Sequence, residues 1–160
     1  KHLKKTGLRF DVCGGLRRDA RKVGGVKLVV SSLSWLQSEV ESHFDIRFEQ
    51  VKGVPLRFVF KDVGFNCRAA TDDFWGSAIL LTTGTVGFVK TMVAHARCLG
   101  YALRYKGLFL GETRIAGRDE QQIFDAIELP YIKPKNRYPT RPHSKMFKGA
   151  TVYVKDGKVR

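Results

Sequence analysis

Short β-rich runs alternate with helix-period segments along the first half of the chain. Residues 9–13 and 26–30 predict two strands. Between them, Gly14-Gly15 predicts a tight turn and residues 16–22 a short helix, which ends at Gly24-Gly25. Residues 34–43 predict a longer amphipathic helix, with Trp35, Leu36 and Val40 on one face and Glu39 and Glu41 elsewhere. Residues 56–60 and 65–70 predict two more strands around a turn at 62–64. From Trp75 onward the period is helical: 76–82 and 86–99 predict helices parted by Thr83-Gly84-Thr85, with Gly100 as the stop. A β-rich stretch follows at 101–115, then a helix at 119–127 closed by Leu129-Pro130, and residues 151–160 suit a hairpin around Asp156-Gly157. Trp35, Phe44, Phe58, Phe60, Phe65 and Phe124 are the expected core aromatics. The pattern predicts an α+β fold: a mixed β-sheet with flanking helices, then a small α/β lobe and a basic C-terminal tail.

The 160 residues fit one domain or two small lobes, and 43% hydrophobic residues suffice for a core. The longest apolar stretch, 76–89, is interrupted by Ser77, Thr82, Thr83, Gly84 and Thr85, so no membrane span is expected. Charge adds more. Lys and Arg number 29 against 15 Asp and Glu, a net +14, which points to a polyanionic partner, nucleic acid before an acidic membrane surface. Cys13, Cys67 and Cys98 form no C-x-x-C pair and are expected as reduced core thiols of an intracellular or viral protein. His2, His43, His95 and His143 show no zinc-ligand spacing, so no metal and no cofactor are expected. A chain starting at Lys1 without Met is expected of a protein with a trimmed leader, a matured precursor or a partial chain.

The most informative stretch is Gly14-Gly15-Leu16-Arg17-Arg18, followed by Gly24-Gly25-Val26-Lys27-Leu28-Val29-Val30. A glycine pair entering a helix exposes backbone N–H groups to phosphate, and Arg18 adds positive potential. The stretch resembles, without a gap, the nucleotidyltransferase signature G-S-x-R-R-x(5)-G-D-x-D-L of family X DNA polymerases. The resemblance runs over about residues 8–137. It continues through Arg68, Trp75-Gly76-Ser77-Ala78 and Leu81-Thr82-Thr83-Gly84-Thr85, then Met92, Ala94, His95, Ala96 and Gly100. Gly107-Leu108-Phe109, Asp119-Glu120, Ile123-Phe124, Leu129-Pro130-Tyr131-Ile132-Lys133-Pro134 and Arg137 complete it. It implies a palm over 1–83 and a thumb over 84–137, without the amino-terminal lobes of larger members, as in the smallest viral polymerases of that family; beyond it, residues 138–160 are expected as a basic C-terminal extension.

The resemblance also implies which residues would do the chemistry. Family X polymerases hold two metal ions on three Asp carboxylates. The matching positions here are Gly25, Lys27 and Asn66, so the catalytic set is expected to be lost and the chain to be a pseudoenzyme. Lys27 also opposes a cation: two unit charges about 4 Å apart repel by about 4 kcal/mol at an effective dielectric of 20. Asp11, Asp72 and Asp73 are the remaining nearby carboxylates. The positions that meet base and template minor groove in the family are Val86, Val89 and Val93, which offer no side-chain hydrogen bond.

Gly14, Gly15, Arg17, Arg18 and Lys27 are therefore the expected phosphate-binding residues. Lys90, Arg97, Arg104 and Lys106, with Lys133, Lys135, Arg137, Arg141, Lys145 and Lys148, are the expected nucleic-acid contacts, and His95 lies among them. Tyr138, His143, Phe147 and Tyr153 are interleaved with the tail cations and suit stacking. The function expected is a non-catalytic nucleic-acid-binding component of a larger nucleoprotein assembly, RNA or DNA, alongside other proteins and without a membrane. A mitochondrial protein after leader removal fits this better than a virion protein. An active minimal polymerase with atypical metal ligands and a scaffold for an acidic protein partner are the alternatives.

Overall fold

Five strands make one mixed sheet: β1 (Phe10–Cys13), β2 (Val26–Val30), β3 (Arg47–Phe48), β4 (Leu56–Phe60) and β5 (Val63–Ala69), in the order β1-β2-β5-β4-β3. Only β2 and β5 run parallel; the other pairs are antiparallel. The structure is a computed structural model that describes residues 2–138 and the strand residues 154–155 and 158–159. Strand alternation gives the sheet two different faces. Leu28, Val30, Phe58 and Cys67 face helix α2 (Leu33–His43), whose Leu36 and Val40 complete the buried cluster. Ser32 caps this helix by accepting from Trp35 N at 3.2 Å. Burial of Cys67 in that cluster pushes its thiol up to about 12, so it is an inert packing group.

Three local expectations change. The helix at 16–22 is instead one turn, α1 (Gly14–Arg17), which begins at the glycine pair and is ended by Asp19 in the left-handed region at φ +57°. The second hairpin turns on Lys61 and Asp62, both at positive φ, so β5 starts at Val63 and not two residues later. Trp35 is 45% exposed and not in the core, because it lies a helical step of about 100° from the Leu36 and Val40 stripe. Phe58 and Phe124 are buried as expected, while Phe44, Phe60 and Phe65 pack half-buried against the first core.

The chain divides into two compact units, Lys1–Thr71 and Asp72–Arg160. This division falls ahead of the 83/84 palm–thumb border because α3 (Trp75–Thr83) is tied into the second unit. Gly76 N and Ser77 N donate to the Arg118 and Gly117 carbonyls, each at 3.0 Å. The second unit continues with α4 (Val86–Cys98), the three-stranded sheet β6 (Ala102–Arg104), β7 (Gly107–Leu110) and β8 (Thr113–Ala116), and α5 (Glu120–Ala126). Thr85 and Asp119 cap α4 and α5. Leu80, Phe88, Met92, Leu108, Ile123, Phe124 and Ile127 are the heart of its core. The whole is α+β, as the pattern predicts. Strands β9 (Val154–Lys155) and β10 (Lys158–Val159) pair antiparallel where a terminal hairpin is expected, with the turn itself outside the described residues. Among the described residues no helix is long and apolar enough to cross a membrane.

Candidate nucleic-acid interface

The face of the first sheet that points away from α2 carries the positions of interest. Register places Cys13, Lys27, Asn66 and Arg57 side by side on β1, β2, β5 and β4. Arg57 Nη1 donates to Asn66 Oδ1 at 2.8 Å and its Nε to Glu49 Oε2 at 2.8 Å. A guanidinium only donates, so this contact fixes the amide: its oxygen is taken by Arg57, and its NH2 group is what remains. The same guanidinium lies over Gly64, where an added Cβ would meet it at 2.8 Å. Hydrogen bonding to Arg57 holds the Glu49 carboxyl below its ordinary value. What Glu49 adds to stability is thus present at neutral pH and fades as pH falls through that lowered value.

The row therefore offers donors where the resemblance assigns acceptors. A hard divalent cation such as Mg²⁺ needs oxygen ligands; Lys27, the Asn66 amide nitrogen and the Arg57 guanidinium, the last already paired with Glu49, are hydrogen-bond donors and do not supply them. Nor is Gly25 an open place for a carboxylate side chain, since a Cβ there would stand 2.9 Å from the Gly64 carbonyl oxygen.

The turn beside this row is shorter than the sequence suggests. Gly14 is buried at φ +67°, and a Cβ on it would press the Lys27 stem at 3.0 Å. Its glycine is thus explained by packing and backbone. A single helical turn also carries little of the macrodipole expected to draw phosphate to Gly14 and Gly15. Arg17 and Arg18 are half-buried and Lys27 is exposed, so side-chain charge is concentrated at this end. Cys13, which precedes the turn, is buried.

In the second unit, Lys90 and Arg97 are exposed on one face of α4, seven residues and so about 10 Å apart. Val86, the most exposed of the three valines at 73%, shares that stripe, while Val89 and Val93 pack against the core. Arg97 and Arg104 line one groove of about 600 Å³ with Tyr101 and Phe109. Arg104 lies 5.5 Å from the Phe109 ring centroid, a cation beside an aromatic surface. Lys106, Lys133 and Lys135 are exposed. Arg141, Lys145 and Lys148, with His143, Phe147 and Tyr153, lie outside the described residues.

Two expected contacts are corrected. Arg137 is fully buried and cannot meet a phosphate: it forks onto Glu120, with Nη1 donating to Oε1 and Nη2 to Oε2 at 3.0 Å. His95 is 1% exposed and bonds the Ile127 carbonyl at 2.8 Å, tying α4 to the end of α5. Asp73, a spare carboxylate by sequence, pairs with Arg114 and Arg118, each at 3.3 Å.

Sequence reasoning missed Arg57, whose role depends on a strand pairing not visible from its neighbours. It also passed over the Glu39 and His43 pair, four residues apart on α2, which signals a shared helix face.

Residues 78–138 match the family model of the DNA polymerase beta thumb. The match lies within the second unit and supports a polymerase-X-like relationship with nucleic acid as partner. No curated protein matches the chain.

Proposed function

We propose that this chain is a non-catalytic, polymerase-X-like protein that binds nucleic acid through backbone phosphates and serves as a structural component of a larger nucleoprotein assembly, such as an organellar ribosome or a virion. The observation that carries this reading is the row Lys27, Asn66 and Arg57, which presents donors across the sheet where metal-ion chemistry requires carboxylate oxygens. The thumb match supports nucleic acid as the ligand, and the Arg97 and Arg104 groove supplies cations beside aromatic rings. With no base-reading side chain at Val86, Val89 or Val93, binding is indifferent to sequence, and its strength comes from phosphate contacts.

The test is nucleotide addition to a primer–template and to a single strand, with Mg²⁺ and separately with Mn²⁺, at protein in excess over primer. The reading predicts no extension in either metal while the same substrates are retained in EDTA. Extension that EDTA abolishes would overturn it in favour of an active transferase.

A further inference from the structure

The cluster that the proposed function does not use lies on the opposite face of the first sheet. Glu39 and His43 stand one turn apart on α2, and the 3-10 turn His2–Lys5 brings a second imidazole to them. His2 Nε2 is 2.7 Å from Glu39 Oε1, and His43 Nδ1 is 3.4 Å from the same oxygen. One ligand atom from each of the three residues lies within 4.8 Å of the other two, and among the described residues no other His, Cys, Asp and Glu side chains gather in this way. The imidazoles are held close and tilted: their centroids are 4.5 Å apart, and the His2 ring meets Phe44 edge-on at 5.2 Å.

We propose that His2, Glu39 and His43 form a binding site for a zinc-class divalent ion, which fastens the amino-terminal turn to α2. Two imidazole nitrogens and one carboxylate oxygen are a set that Zn²⁺ and Co²⁺ accept, whereas Mg²⁺ and Ca²⁺ demand more oxygens. Ligand atoms on a tetrahedron with bonds near 2.1 Å are about 3.4 Å apart. The His43 contact already has that spacing, and the His2 contact reaches it by opening under an ångström. His43 Nδ1 also lies 2.9 Å from the Glu39 carbonyl, a contact its ring exchanges for the ion if that nitrogen is the ligand. The set leaves one tetrahedral position for water. The side chains are reachable from solvent, with Glu39 at 19%, His2 at 35% and His43 at 48% exposure. His2 and Phe44 also line a 350 Å³ apolar cavity with Leu3 and Val40, so the site borders an apolar surface on the His2 side. This site differs in ligands, metal class and sheet face from the carboxylate set that the polymerase resemblance implies, and it stands whether or not the chain binds nucleic acid.

The experiment is a titration of the nuclease-treated full chain with Co²⁺, read by visible absorption, followed by displacement with Zn²⁺. One equivalent is expected, with the intense d–d bands of a low-coordinate ion, and a melting temperature that rises with zinc concentration. His2→Ala, Glu39→Gln and His43→Ala should each weaken binding at least tenfold and remove the zinc-dependent rise, while all three fold without metal by circular dichroism. Unchanged affinity in Glu39→Gln and His43→Ala would place the ion elsewhere, for instance on His143, and overturn the proposal. Absence of bands and of a melting shift at millimolar metal would overturn it equally.

Discussion

Arg137→Ala is expected to destabilise the second unit by about 3 to 5 kcal/mol, since it leaves the Glu120 carboxylate buried without its counter-charge. Arg137 is 0% and Glu120 6% exposed. The guanidinium donates to both Glu120 oxygens, its Nε donates to the Ile132 carbonyl at 2.9 Å, and Tyr131 Oη adds a further bond to Glu120 Oε2 at 3.0 Å. The rings of Phe124 and Tyr131 sit about the guanidinium at 5.6 and 5.5 Å. Arg137 O also accepts from Thr85 N at 3.2 Å, so the residue joins α5, the segment after it and the start of α4. Arg137→Lys should recover only part of the loss, because a point charge cannot reproduce the fork. Urea unfolding followed by the fluorescence of Trp75, in a Trp35→Phe background so that the first unit does not contribute, measures this. A midpoint for Arg137→Ala within error of the parent protein would refute the structural role and return Arg137 to the surface.

Gly76→Ala should be nearly as damaging, at about 3 kcal/mol or more, beyond the ordinary cost of overpacking. An added Cβ would lie 2.1 Å from the Asp119 carbonyl carbon and 2.3 Å from its Cα. Backbone cannot rotate aside as a flexible side chain does. Separating the two segments would break the bonds from Gly76 N and Ser77 N, and would also move Asp119, whose Oδ1 accepts from Gln122 N at 2.8 Å to cap α5. Loss of that cap alone costs about 1 kcal/mol. Gly24→Ala is the control: nothing lies within 4 Å of its added Cβ, and the change should stay within about 0.5 kcal/mol. Comparable denaturation midpoints for the two variants would show that α3 does not pack on Asp119 as described.

Much of the fold is legible in the sequence, for reasons that particular residues make clear. Strands such as 26–30 and helices such as 86–98 are set by local periodicity and by caps at Thr85 and Asp119, which need no knowledge of the rest of the chain. Their boundaries fall within a residue or two of the pattern. The hydrophobic pattern fails where a backbone turn or the exact angular position of a residue decides. A run of Leu16, Arg17 and Arg18 suits a helix, yet Asp19 turns left-handed and the chain folds back with Ala20 N on the Gly15 carbonyl at 3.0 Å. Trp35 reads as core by its hydrophobicity, but only its angular position against Leu36 shows that it sits on the rim.

The candidate site divides in the same way. Lys27 and Asn66 stand out through the resemblance, and strand register brings them together. Arg57 does not, because its partnership with Asn66 depends on how β4 pairs with β5. Arg137 misleads for a different reason: a basic residue in a basic segment looks solvent-facing until its buried carboxylate partner, seventeen residues earlier in the chain, is known.

The central claim, phosphate binding by a metal-free cationic face, is tested most directly by the salt dependence of duplex affinity. Anisotropy of a labelled duplex would be titrated between 50 and 200 mM KCl in EDTA, with the parent chain and with Arg18→Glu/Lys27→Glu, their folds checked by circular dichroism. The account predicts a linear fall of log affinity with log salt for the parent chain. For the double variant it predicts a slope shallower by about 0.9 for each phosphate that is no longer neutralised, close to 2 in all, with weaker binding at every salt. Identical affinity and slope for the two proteins would contradict it, as would binding that appears only when Mg²⁺ is restored.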